Sequence, residues 1–132
     1  MRANDYTGDA TFEDQYALVA KDVFREIAGD AIAEGKQPDE QARVYAELGK
    51  PDFVLAYLLV CDLPDAEKRA VLARAYQRRA TYTEERAREF DHKFHRPFPL
   101  LFTEAANDKA AARKILAGLP LRPAAGKQLP TL

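Results

Sequence analysis

Apolar and small residues recur at alternating intervals of three and four residues between residues 64 and 95. This heptad spacing is typical of helices that pack side by side. Pro64 suits the first turn of such a helix, and Pro97 stops it because the residue before a proline is pushed out of the helical region. The pattern predicts one helix over about 64–95, with a seam of Ala66, Arg69, Ala73, Tyr76, Ala80, Thr83, Ala87, Phe90 and Phe94.

Two features of this long helix leave alternatives open. Thr81 and Glu84 have capping-box spacing and could start a separate helix, but the seam keeps its phase across them, which favours one helix. A helix over 64–94 would be roughly 46 Å long, whereas a compact domain of 132 residues is roughly 36 Å across. We therefore expect the helix to overhang its own domain or to lie against a second chain. An elongated monomeric bundle is the alternative.

A continuous apolar run precedes the long helix. From Phe53 to Cys61 every residue is apolar or aromatic. A buried strand could have this composition, but the leucine and alanine content and Pro51 at the presumed first turn favour a helix. The run predicts a central helix over about 52–62 that is buried on most of its sides.

The remaining pattern supplies three more helices. Thr11 is a predicted N-cap of a first helix that runs from Phe12 to near Gly35. A short helix follows over about 38–48, with Gly49 as its C-cap. Thr103 is predicted to cap a last helix that ends near residue 117.

Together these elements predict an all-α fold, a helical bundle of about five helices. We expect a flexible N-terminal arm over 1–10, a single helical domain over 11–118 and a proline-rich C-terminal tail over 119–132.

Composition narrows the chemistry and the compartment. The chain has no serine, which excludes serine nucleophiles, and Cys61 is its only cysteine, which excludes an internal disulfide. The apolar neighbours of Cys61 predict a buried, inert thiol. The N-terminal residues lack an apolar signal core, and no apolar run reaches about 18 residues. We expect a cytoplasmic protein that does not span a membrane.

Charge is divided unevenly along the chain. Residues 1–63 carry 6 basic and 13 acidic side chains, and residues 64–132 carry 14 basic and 8 acidic ones. The net charges of −7 and +6 predict either attraction between the two halves of the fold or a charged face that meets a partner.

One cluster near the end of the long helix has metal-ligand spacing. Glu89 and His92 form the E-x-x-H pattern of di-iron bundles, with Glu85 one turn earlier and His95 one turn later. A second E-x-x-H motif is absent, since the chain has only two histidines, although a dimer would supply it by symmetry. We predict a solvated helix face and no cofactor, with a transition-metal site as the alternative reading.

The long helix also carries a basic face made of Arg74, Arg78, Arg79 and Arg86. Such a face could bind phosphates of a nucleic acid. Acidic residues interrupt it, and the isoelectric point near 6.1 is far from that of a typical nucleic-acid-binding domain. Nucleic-acid binding is therefore a secondary hypothesis.

The sequence favours a non-enzymatic protein–protein interaction or assembly module. Its candidate interface is the later part of the seam and the aromatic residue that follows, and the predicted partner is a second copy in a two-fold dimer. These interface residues are Tyr76, Ala80, Thr83, Ala87, Phe90, Phe94 and Phe98.

Overall fold

The fold is all-helical in a computed structural model that describes residues 10–121. The helices are α1 (Phe12–Tyr16), α2 (Asp22–Ala33), α3 (Pro38–Glu47), α4 (Pro51–Leu58), α5 (Asp65–Phe94) and α6 (Pro99–Leu116), with a 3₁₀ turn over Ala17–Val19. The described residues form no strand, and none of their helices is long and apolar enough to cross a membrane. The predicted arm, apart from residue 10, and most of the predicted tail lie outside the described residues.

The long helix is continuous, as the seam predicts. Pro64 is its N-cap residue, and His95 ends it in the left-handed conformation with φ 55°. The alternative start at Thr81 is wrong, because the Thr81 hydroxyl donates to the carbonyl of Gln77, one turn back in the same helix, at 3.2 Å. With 30 residues, α5 is about 45 Å long.

The predicted central helix is confirmed as α4, although it ends earlier, at Leu58. Every side chain from Val54 to Leu58 is buried. The rings of Phe53 and Tyr45 stack with centroids 4.7 Å apart, and the ring of Tyr57 also stacks with that of Tyr45, at 5.9 Å. These aromatic contacts fix α4 against α3 and place α4 at the centre of the core.

The predicted first helix is wrong in one respect, because it is two helices. Backbone torsions at Ala20 and Lys21 are extended, with ψ of 120° and 147°, and they separate α1 from α2. Tertiary contacts hold α1 elsewhere: the Tyr16 hydroxyl donates to the carbonyl of Leu119 at 2.7 Å, and the Phe12 amide donates to the carboxylate of Asp65 at 3.0 Å. Since α2 packs on α4 instead, the chain must turn between them.

The start of the last helix also differs from the prediction. α6 begins at Pro99, whose fixed φ suits the first helical position, and not after Thr103. The Thr103 hydroxyl lies inside the helix and donates to the carbonyl of Pro99 at 3.2 Å. This earlier start places α6 directly after the turn at the end of α5, so that the two helices form an antiparallel hairpin.

Candidate functional site

The turn between α5 and α6 carries a group of aromatic and apolar side chains. The ring of Phe90 lies 4.6 Å from that of Phe94 and 4.9 Å from that of Phe98, between centroids. Leu100 and Phe102 follow on the first turn of α6. We call these five residues, Phe90, Phe94, Phe98, Leu100 and Phe102, the aromatic end of the hairpin.

Solvent reaches much of the aromatic end. Phe94 is 53% exposed, Leu100 58% and Phe102 42%. Between residues 88 and 100 no side chain is fully buried, and only Phe90 and Phe98 are half-buried. The last two turns of α5 therefore extend past the part of the fold that α3 and α4 cover.

The earlier part of the predicted interface is covered within the chain. Ala80, Thr83 and Ala87 are buried, and α6 packs along this half of α5. Ion pairs cross between the two helices, from Arg79 to Asp108 at 2.9 Å and from Lys109 to Glu84 at 2.6 Å. A second copy could contact Ala80, Thr83 or Ala87 only if α6 moved away, because α6 covers these three interface candidates within the single chain.

The remaining interface candidates divide between these two settings. Tyr76 is half-buried, with the guanidinium of Arg79 5.3 Å from its ring centroid. Phe90, Phe94 and Phe98 belong to the aromatic end. The part of the predicted interface that a partner can reach is therefore the aromatic end of the hairpin.

The four candidate metal ligands, Glu85, Glu89, His92 and His95, are all exposed. Among residues 10–121, no three histidine, cysteine, aspartate or glutamate side chains come together in a group that could hold a metal ion. His95 is the left-handed cap residue of α5, and its amide donates to the carbonyl of Asp91 at 2.7 Å. Within one chain, the spacing of these residues does not assemble a metal site.

Most of the predicted basic face is engaged in ion pairs. Arg74 donates two hydrogen bonds to the carboxylate of Glu47, at 2.8 and 3.1 Å, and Arg78 lies 3.6 Å from the same group. The hydrogen bonds from Arg74 lower the pKa of Glu47 below its ordinary value of 4.5. Arg79 donates both of its hydrogen bonds to Asp108, at 2.9 Å each.

These pairs explain part of the charge asymmetry and weaken the nucleic-acid hypothesis. Glu47 belongs to the acidic half of the chain, and it neutralises arginines of the basic half. Three of the four arginines proposed to bind phosphates already form an ion pair with a carboxylate. Arg86 is the exception: no ion-pair partner for it lies among the described residues.

A polar cleft of about 490 Å³ opens where the α3–α4 turn, α5 and α6 meet. Sequence reasoning singled out Arg79 and Arg86 as part of the basic face and Thr83 as a seam residue, but it missed the residues from the turn and from α6. The spacing 79, 82, 83 and 86, one stripe of a helix, was a readable signal. The lining residues are Leu48, Gly49, Lys50, Arg79, Tyr82, Thr83, Arg86, Glu104, Asn107 and Asp108.

Comparison of the chain with protein-family models, with curated proteins and with solved structures finds no match in any of the three. The geometry of its own side chains is therefore what indicates a function.

Proposed function

We propose that this protein is a non-enzymatic assembly module, in which the aromatic end of the α5–α6 hairpin binds the same surface of a second copy. The observation that carries the proposal is the exposed aromatic end. Contiguous apolar surface of this kind marks interaction sites on monomeric proteins. Aromatic side chains are also enriched among the residues that dominate binding energy at interfaces.

The shape of the hairpin supports association at its end. α5 is about 45 Å long. α3 and the turn after it contact the middle of α5, through Glu47 with Arg74 and Tyr82 and through Gly49 with Arg79. Within residues 10–121, the aromatic rings at the end of the hairpin contact one another, and Phe94 and Phe102 remain exposed. A second hairpin that packs against it would bury the exposed surface of Phe94, Leu100 and Phe102.

The charges around the aromatic end favour a second copy as the partner. This part of the chain carries exposed charges of both signs, acidic at Glu85, Glu89 and Asp91 and basic at Arg86, Arg88, Lys93 and Arg96. In a two-fold interface the same patch meets itself, so that residue i of one copy contacts residue j of the other and the reverse. A patch of mixed sign can then pair acid with base across the axis, whereas a patch of one sign would repel itself.

Sedimentation of the full chain at micromolar concentration tests the proposal. We expect a dimer for the wild-type protein, and a monomer for Phe94→Glu and for Leu100→Glu, because each substitution places a charge in the apolar contact. Val44→Glu and Val60→Glu are matched controls. Val44 is 52% exposed and Val60 58%, so each control changes an apolar residue of similar exposure away from the hairpin end.

Three outcomes would contradict the proposal. A wild-type protein that sediments as a monomer excludes self-association. Loss of the dimer in Val44→Glu or Val60→Glu would place the interface away from the end of the hairpin. A dimer that persists in both Phe94→Glu and Leu100→Glu would lead to the same conclusion. Ala87→Glu is unsuitable as a test, because Ala87 is fully buried and a charge there would separate α5 from α6 in a single chain.

A further inference from the structure

We propose that the polar cleft between the α3–α4 turn, α5 and α6 binds a small phosphate ester that also carries hydroxyl groups. Its volume of about 490 Å³ lies within the range of small-molecule sites, about 300–1,000 Å³. The proposal does not depend on dimer formation, because all the lining residues belong to one chain and none of them belongs to the aromatic end.

Three elements converge to form the cleft. Arg79, Tyr82, Thr83 and Arg86 lie on one stripe of α5, at intervals of three, one and three residues. The α3–α4 turn reaches this stripe because residue 49 is glycine: a Cβ atom there would lie 3.0 Å from the backbone nitrogen of Arg79. This close approach brings the next residue of the turn, Lys50, to the cleft.

The cationic side chains of the cleft fall into two classes. Arg79 is neutralised by its two hydrogen bonds to Asp108, at 2.9 Å each. Arg86 and Lys50 are exposed, and neither has an ion-pair partner among residues 10–121. Two open cations beside a neutral pair suit a dianionic phosphate, which an arginine and a lysine commonly bind together.

Thr83 adds a hydroxyl donor to the lining of the cleft. Its side chain lines the cleft and the residue is only 7% exposed, yet its hydroxyl has no hydrogen-bond partner in the described part of the chain. Two other threonines in helices, Thr81 and Thr103, donate to the carbonyl one turn back, each at 3.2 Å. Thr83 Oγ1 is not among the buried side-chain oxygens without a partner, so the hydroxyl is open to the cleft, where a phosphate oxygen would accept its hydrogen bond.

The side chains that α6 contributes to the cleft determine which groups the ligand can carry besides its phosphate. Glu104 and Asn107 lie one turn apart on α6 and face the same space as Asp108. The Glu104 carboxylate repels a second phosphate and accepts hydrogen bonds, and the Asn107 amide both donates and accepts. This chemistry favours a monophosphate ester whose remaining part offers hydroxyl donors, such as a sugar phosphate.

Titration of the full chain with ribose 5-phosphate, followed through backbone amide chemical shifts, tests the site. We expect saturable shifts at residues 48–50, 79–86 and 104–108, and weaker binding of inorganic phosphate and of ribose alone. Arg86→Ala should weaken binding by about tenfold or more, because a hydrogen bond to a charged group is lost. Arg88→Ala is the matched control: Arg88 is exposed on the same helix and is not part of the cleft.

A second variant keeps the test sharp. Thr83→Val keeps the side-chain shape, removes the hydroxyl and should weaken binding by about twofold to tenfold. The proposal is overturned if ribose 5-phosphate gives no saturable shift at a concentration on the order of 10 mM, corresponding to a Kd weaker than the millimolar range. Equal weakening by Arg88→Ala would show unspecific charge attraction, and equal affinity for inorganic phosphate would overturn the sugar-phosphate assignment.

Discussion

Three glycines offer a test of how closely the α3–α4 turn packs on α5, through substitution of each by alanine. Gly49 has φ +70°, and an added Cβ would meet the backbone nitrogen and Cα of Arg79 at 3.0 and 3.1 Å. Gly35 also has a positive φ, +98°, but no atom lies within 4 Å of its added Cβ. Gly29 lies within α2 with ordinary helical φ and open space around it.

The three substitutions separate backbone strain from steric contact. Alanine in the left-handed region costs about 1–2 kcal/mol, and the stiffer unfolded chain offsets about 0.4–1 kcal/mol of this, so Gly35→Ala should lose about 1 kcal/mol. Gly49→Ala carries a similar strain and adds about 1–3 kcal/mol of overpacking, for a loss of about 2–4 kcal/mol. Gly29→Ala should gain about 0.5–1 kcal/mol, because alanine is the better helix former.

Urea unfolding at pH 7, followed by circular dichroism, measures the series. At a slope of roughly 1–3 kcal/mol per molar urea, the loss in Gly49→Ala moves the midpoint by about 1 M or more, with an unchanged slope. If Gly49→Ala loses no more stability than Gly35→Ala, the α3–α4 turn does not pack closely against the backbone of Arg79, and the prediction is refuted. A loss in Gly29→Ala would contradict the open surroundings of that residue.

Two further predictions concern buried reactive groups. Burial raises the pKa of Tyr16 to about 12, above its ordinary value of 10.0, so folding keeps the phenol protonated. The protonated phenol stabilises the fold fully below pH 10, and this stabilisation is lost as the pH rises towards 12. The free energy of unfolding should therefore fall less steeply with alkaline pH in Tyr16→Phe than in the wild-type protein. An equal fall in the two proteins would contradict this prediction. Cys61 is 8% exposed, so its labelling by a thiol reagent should be far slower in native protein than in urea, and equal rates would show that the segment after α4 is open.

Local patterns in the sequence were sufficient to predict where the main helices lie. The heptad spacing of α5, the prolines around its ends and the apolar run of α4 act through neighbours three or four residues apart, and sequence displays such neighbours directly. The same holds for Gly49, whose left-handed conformation ends α3 as the glycine signal predicts. For these elements the prediction and the structure agree to within a few residues.

Tertiary contacts decided what the helix faces do. The seam of α5 from Ala80 to Ala87 meets α6 of its own chain, a choice that spacing alone leaves open because a second copy would satisfy the same pattern. Arg74 pairs with a carboxylate 27 residues away, and Arg79 with one 29 residues away, so the predicted basic face is largely neutralised. Tyr16 donates to a carbonyl 103 residues away, and such contacts separate α1 from α2. Periodicity specifies which side of a helix is apolar, and only the packed chain specifies what covers it.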